Sequence, residues 1–238
     1  MKNSFKNEKT IGFLLIVGGV LLFIPYTILT IIFDYPDILR QETGVILSKF
    51  KQGGNFLIFN WLAFALVGLP LIPAYILLGQ KLENQLLYIR WVTVVGVIGL
   101  VVQMIGLLRW VFVVPILALH FQNGDDTTRA VVKIAFEVVH QYGGVILGEH
   151  LGQLFTIIWT IMISHTFAKL KLMPQWLNIW AYLASGIYFI AQAELLATVI
   201  PDFPVWSLAG FLGSTMWLVW LIIVGIRFQI NPIPLSKF

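Results

Sequence analysis

The chain contains no cysteine. Disulfides, thiolate metal sites and a cysteine nucleophile are therefore excluded, and nothing about compartment follows. Charge is scarce as well. Asp, Glu, Lys and Arg make up 11% of the 238 residues, against about 25% in a typical soluble chain. No serine stands at motif spacing from a base, and no Gly-rich phosphate loop follows a strand, which argues against a nucleotide-driven enzyme. What the sequence has instead is apolar surface, with 59% hydrophobic residues and a mean hydropathy of +0.89. A soluble protein this apolar could not cover itself, whereas a lipid bilayer accepts an apolar exterior. The length suits a single membrane domain over residues 1–238. The net charge is +4, but the cations sit between apolar runs rather than in a patch. They read as topology signals, with the bilayer and not nucleic acid as the partner.

The first apolar run, Ile11 to Phe33, follows Lys2, Lys6 and Lys9 and leads into Asp34-Tyr35-Pro36. It is longer than the roughly 7–15 residues of a signal-peptide core, so it is expected to be an uncleaved span. A spanning helix needs about 20 apolar residues. The runs that meet this predict spans at 11–33, 55–79, 88–118, 145–167, 176–199 and 205–227. The fold class is all-α, an integral membrane bundle of about six transmembrane helices. Segment 34–54 is mixed and reads as amphipathic or a loop. Segment 127–141 predicts a short amphipathic helix before the fourth span, capped by Thr127 or Thr128, with Val131, Ile134, Ala135 and Val138 on one face. It would lie at the interface and lead into Gly143-Gly144. No internal repeat is evident.

Charge bias predicts the orientation. With the N-terminus inside, the inner segments hold Lys2, Lys6, Lys9, Lys81, Arg90, Lys169, Lys171, Arg227 and Lys237, and the outer ones Arg40, Lys49, Lys51, Arg129 and Lys133. The outer segments also carry most acids. Both termini are therefore expected on the cytoplasmic side of the cell membrane. Tyr35, Trp91, Trp176 and Trp206 lie near span ends, as interfacial anchors do.

In the fourth span Gly144, Gly148, Gly152, Thr156, Thr160 and Ser164 recur at every fourth position. Such a small-residue ridge lets two backbones approach closely, so it predicts packing against a neighbouring span; a ligand groove is the other reading.

Ionisable residues inside the bilayer cost about 2.5–3.5 kcal/mol or more at a helix centre, so each one is informative. The predicted spans contain Arg109, Glu149, His150 and Glu194. Topology carries all four to the outer half, where Asn60 and Gln153 join them. Arg109 beside Glu149 or Glu194 would be cheaper to bury, because a planar guanidinium suits a carboxylate. These six residues are the candidate ligand-binding set, with Arg109 as anion anchor and Glu149 as proton or cation acceptor. A structural clasp is the alternative, and Glu194 near a helix end can reach water.

A metal-dependent membrane enzyme is a further alternative. Glu137 and His140 are spaced i, i+3 on one face, and Glu149 and His150 follow beyond the glycines, so these four could ligate Zn, Mn or Fe. The second E-x-x-H of a helical di-iron site is missing. Glu149 and His150 diverge by about 100° on an α-helix. Paired axial histidines for haem, His140 and His150, are another reading of the same segment. His120 and His165 read as interfacial.

Three passages occur together: YPDILR at 35–40, GLLRWVFVVP at 106–115 and HQYGGVILGEHLG at 140–152. With them the chain resembles a bacterial multi-pass membrane family catalogued as a domain of unknown function. The resemblance runs from the end of the first span into the fifth. It implies a helical membrane domain and supplies no activity, substrate or site residue.

Overall fold

The computed structural model describes residues 2–230, with side chains from Glu8 onward. Lys237 lies outside the described residues, as do the side chains of Lys2 and Lys6. Every element among the described residues is helical: α1 (Lys2–Phe33), a 3-10 turn (Asp37–Arg40), α2 (Thr43–Leu66), α3 (Leu71–Leu82), α4 (Ile89–Phe112), α5 (Val114–Asn123), α6 (Asp126–Val139), a π-helix (His140–Leu151), α7 (Gly152–Lys169), α8 (Gln175–Ile190), α9 (Gln192–Ala197) and α10 (Ala209–Ile230).

Among the described residues six helical runs are long and apolar enough to cross a bilayer: Glu8–Phe33, Thr43–Leu82, Ile89–Asn123, Asp126–Lys169, Gln175–Ala197 and Ala209–Ile230. Only 28–39% of the most apolar window of each is buried inside the structure. The remainder is apolar surface turned outward, including Ile31 at 74% and Phe59 at 67% exposure. Water would penalise that surface and lipid does not.

The spans depart from the predicted boundaries for local reasons. The second begins at Thr43, and its helix bends at Gly54, whose φ of 57° and ψ of −152° are non-helical. It breaks again before Pro70. The third breaks at Val113, where Pro115 withholds an amide from the helix ladder. The expected separate helix at 127–141 and fourth span at 145–167 are instead one uninterrupted helical run. Gly143 and Gly144 do not break it, because they are wound into the π-helix, whose i→i+5 bonds absorb the change. The cap of α6 is Asp125 rather than either threonine. Asp125 sits in extended backbone and accepts a hydrogen bond from the Thr128 amide at 2.9 Å. Hydrogen bonding from Thr128, side chain first and then backbone, holds the Asp125 carboxyl below the usual carboxylate range. Val131, Ile134 and Val138 of α6 are exposed, while Val132 and Phe136 are buried.

The chain divides into two compact units, the first of residues 1–20, 68–101 and 150–238, the second of residues 21–67 and 102–149. In the first unit α8 packs against α7 and α10. Its core is aromatic. Tyr75 stacks on Trp159, whose ring meets Trp220 edge to face, and Phe167 links Trp220 to Phe228. Glycines admit this packing: a Cβ on Gly96 would collide with the Trp159 ring, and one on Gly12 would lie 2.6 Å from the Gly225 carbonyl oxygen. Lys81 donates to the fully buried Glu8 at 3.0 Å.

In the second unit α2 packs against α5 and α6. Its core is a stack of rings: Trp61 lies parallel to Trp110 at 4.9 Å, Phe50 stacks on Trp110 at 5.7 Å, and Phe33 meets all three rings edge to face. Offset and edge-on pairs of this kind contribute about 0.5–1.5 kcal/mol each beyond area burial. They hold the end of α4 rigidly, and Arg109 precedes Trp110 there. At the surface Glu42 caps α2 by accepting from the Val45 amide. Its carboxyl is held below the usual range, first by the hydrogen bond from Lys133 and then by the Gly44 and Val45 backbone.

Candidate functional site

Arg109 and Glu149 belong to the second unit. Arg109 is 8% exposed. It is buried because the helix that faces it offers glycine: a Cβ on Gly144 would sit 2.7 Å from the guanidinium carbon. Gly106 and Gly148 make the approach possible, since a Cβ on Gly106 would lie 2.6 Å from the Gly148 Cα. The small-residue ridge is thus a packing surface here. In the first unit its continuation is also buried, at Gly152, Thr156, Thr160 and Ser164.

The partner expected for Arg109 does not take that role. Glu149 Oε2 accepts from Arg40 Nη2 at 2.7 Å, both side chains being about a quarter exposed. Arg40 reaches it from the 3-10 turn after α1, whose buried Ile38 and Leu39 fix the turn to the core. Arg109 donates from Nη1 to the Gly106 carbonyl oxygen of its own helix. Its Nε has no hydrogen-bond partner. The guanidinium carbon lies 5.1 Å from the centroid of the Trp110 ring, a cation–π distance. Glu149, Tyr35 and Arg40 are close enough to act on Arg109 electrostatically. Glu149 is thus bonded by Arg40 and acts on Arg109 only electrostatically.

His140 completes the cluster. Its ring stacks on Phe136 at 5.3 Å and meets Trp110 edge to face at 6.1 Å. Neither ring nitrogen has a hydrogen-bond partner. The Leu39 backbone is near without reaching bonding geometry, and both arginines act on the ring electrostatically. Asn60 lies elsewhere in the same unit. It is buried and donates to the Pro25 carbonyl oxygen at 3.0 Å, a contact that ties α2 to α1.

The other candidates belong to the first unit. His150 Nδ1 is hydrogen-bonded to Gln192 Oε1 at 2.6 Å, and Gln192 Nε2 donates to Gln153 Oε1 at 2.5 Å. Glu194 is partly buried on the short helix α9. For the four proposed metal ligands, Glu137 accepts from Thr43 Oγ1 at 3.1 Å, Glu149 is bound by Arg40, His140 is stacked among rings and His150 is bound to Gln192. Among the described residues no three His, Asp or Glu side chains gather as a metal site would need. His120 and His165 are exposed.

Two participants escaped the sequence reading. Arg40 was counted only as a topology charge, although it ends the YPDILR passage. Gln192 carries no charge and was passed over in the fifth span, yet a polar amide in lipid also needs a partner.

Six helices of bilayer length, apolar outside and carrying paired polar groups within, define a multi-pass integral membrane protein. The chain belongs to the family described as Domain of unknown function (DUF4386), whose pattern matches residues 10–225. No curated protein and no solved structure matches it.

Proposed function

We propose that this chain is a single membrane domain that binds or passes a small ligand or ion at a polar site built on Arg109 and Glu149. One observation carries the reading: Arg109 is a buried cation without a carboxylate at ion-pair distance, because Arg40 occupies Glu149. A buried charge is tolerated when paired and is otherwise expensive, so an unneutralised one points to a ligand. His150, Gln153 and Glu194 are the secondary candidates, and Asn60 reads as structural. A clasp that merely pins helices is the second reading, favoured by the Arg40–Glu149 contact itself. The metal-dependent enzyme has no comparable support.

The test is melting of the purified protein across a panel of simple salts. At least one small ion should raise the melting temperature saturably, and both Arg109→Gln and Glu149→Gln should change its apparent affinity. A response indifferent to both substitutions would leave only the clasp.

The proposed orientation puts both termini in the cytoplasm and this site in the outer half of the cell membrane, with Val131, Ile134 and Val138 of α6 toward lipid. The charge bias of the loops supports it. Because the chain lacks cysteine, an introduced one is a unique label. An impermeant maleimide on intact cells is expected to modify Ser48→Cys and spare Lys171→Cys. The opposite pattern would invert the protein.

A further inference from the structure

Separately from the Arg109 site, we infer that a groove in the second unit binds the headgroup of a phosphatidylethanolamine molecule, its ammonium at Glu42 and Phe121 and its phosphate at Lys133 and Lys49. The groove has a volume of about 620 Å³, and its lining includes Glu42, Ser48, Lys49, Gln52, Phe121 and Lys133. Small-molecule sites generally measure about 300–1,000 Å³. Its walls come from span ends. Ser48, Lys49 and Gln52 lie in the opening turns of Thr43–Leu82, Phe121 in the last turn of Ile89–Asn123, and Lys133 in the opening turns of Asp126–Lys169. Span ends are the level at which a bilayer presents its polar headgroups. A glycine shapes the floor: a Cβ on Gly44 would lie 3.1 Å from the Phe121 ring and 2.9 Å from Glu42 Oε2.

The charges select a zwitterion. Each lysine of the groove already has an acid: Lys133 Nζ lies 2.7 Å from Glu42 Oε1, and Lys49 is bonded to Asp34. The pairs balance, so no net charge calls for an anion. All four side chains are partly or well exposed, and exposed pairs contribute little to stability. A ligand that carries both charges can therefore exchange partners with Glu42 and Lys133. Lys49 has three donors, so it can keep Asp34 and add a phosphate oxygen. An anionic headgroup would take Lys133 and leave the Glu42 carboxylate beside its phosphate. Lys133 also marks the ammonium position. While bonded to Glu42, its Nζ lies 5.9 Å from the centroid of the Phe121 ring, and a carboxylate beside a ring face is a cation site. The flexible lysine stem lets Nζ yield that corner and turn to the phosphate. Ser48 and Gln52 offer neutral donors to the remaining phosphate oxygens. A primary ammonium donates hydrogen bonds to Glu42, which the quaternary nitrogen of choline cannot do.

The experiment is native mass spectrometry of the full chain, purified in detergent and titrated with lipid. The probes are phosphatidylethanolamine, phosphatidylcholine and phosphatidylglycerol with identical short acyl chains, and glycerophosphoethanolamine as the headgroup alone. Phosphatidylethanolamine should bind saturably and at least fivefold tighter than the other two lipids. Glu42→Gln should weaken it fivefold or more while leaving phosphatidylglycerol unchanged or tighter, a split that a purely structural role of Glu42 would not produce. Glutamine still offers an oxygen to the Val45 amide, so the cap of α2 survives. Lys133→Gln should weaken both lipids, and Lys133→Arg should restore them. Lys51→Gln, exposed on the same helix but outside the groove, should change nothing. Tightest binding by phosphatidylglycerol, indifferent to Glu42→Gln, would overturn the zwitterion. Glycerophosphoethanolamine binding as tightly as the lipid would overturn the bilayer as its source. Equal binding of all three lipids, unmoved by the Glu42 and Lys133 substitutions, or no saturable binding, would overturn the site, and neither result bears on Arg109.

Discussion

Gly106→Val is expected to destabilise the protein by about 3 kcal/mol or more, the upper end of what overpacking costs. The Cβ alone would stand 2.6 Å from the Gly148 Cα and 2.9 Å from the Gly143 carbonyl oxygen. Both are backbone atoms of the facing π-helix, so no rotamer change relieves the clash. The two helices must separate, and Arg109 loses the glycine surface it lies on. Thermal melting and recovery of monodisperse protein measure the effect. Gly186→Ala is the control, since nothing lies within 4 Å of its Cβ position. There the better helix propensity of alanine should be neutral or stabilise by up to about 1 kcal/mol. Equal damage at both positions would refute close helix approach as the cause.

Lys81→Met should be comparably severe. Glu8 is fully buried and its ion pair with Lys81 is 3.0 Å long, the lysine being 15% exposed. Removing one partner of a buried pair costs about 3–5 kcal/mol. Replacing both is often nearly neutral. Glu8→Gln combined with Lys81→Met should therefore recover most of the stability lost in the single variant. Denaturant or thermal unfolding in detergent compares the three. A double variant as unstable as the single one would show that the two residues act independently.

Membrane character and helix count were legible in the sequence because a span is a composition signal about 20 residues long, readable without knowing what packs on it. The ridge from Gly144 to Ser164 was legible for a similar reason, as spacing along one helix is preserved whatever faces it. Pairing was not. That Glu149 meets Arg40 rather than Arg109 depends on a 3-10 turn folding back after α1, and no pattern within either helix encodes it. The π-helix was hidden as well. Gly143 and Gly144 read as the lead into a fourth span, whereas they form part of a wider winding that continues α6 into α7. The choice between Thr127, Thr128 and Asp125 as cap fell within a boundary uncertainty of a few residues.

Gly54 stands apart from all of this. No atom lies within 4 Å of where its Cβ would be, yet its torsions fall in a region that only glycine occupies readily. Nothing presses the chain into its bend at that point; the elbow is chosen by the backbone itself. The forearm that carries Thr43 toward Glu137, and Lys49 toward Asp34, thus gets its direction from a single pair of dihedral angles.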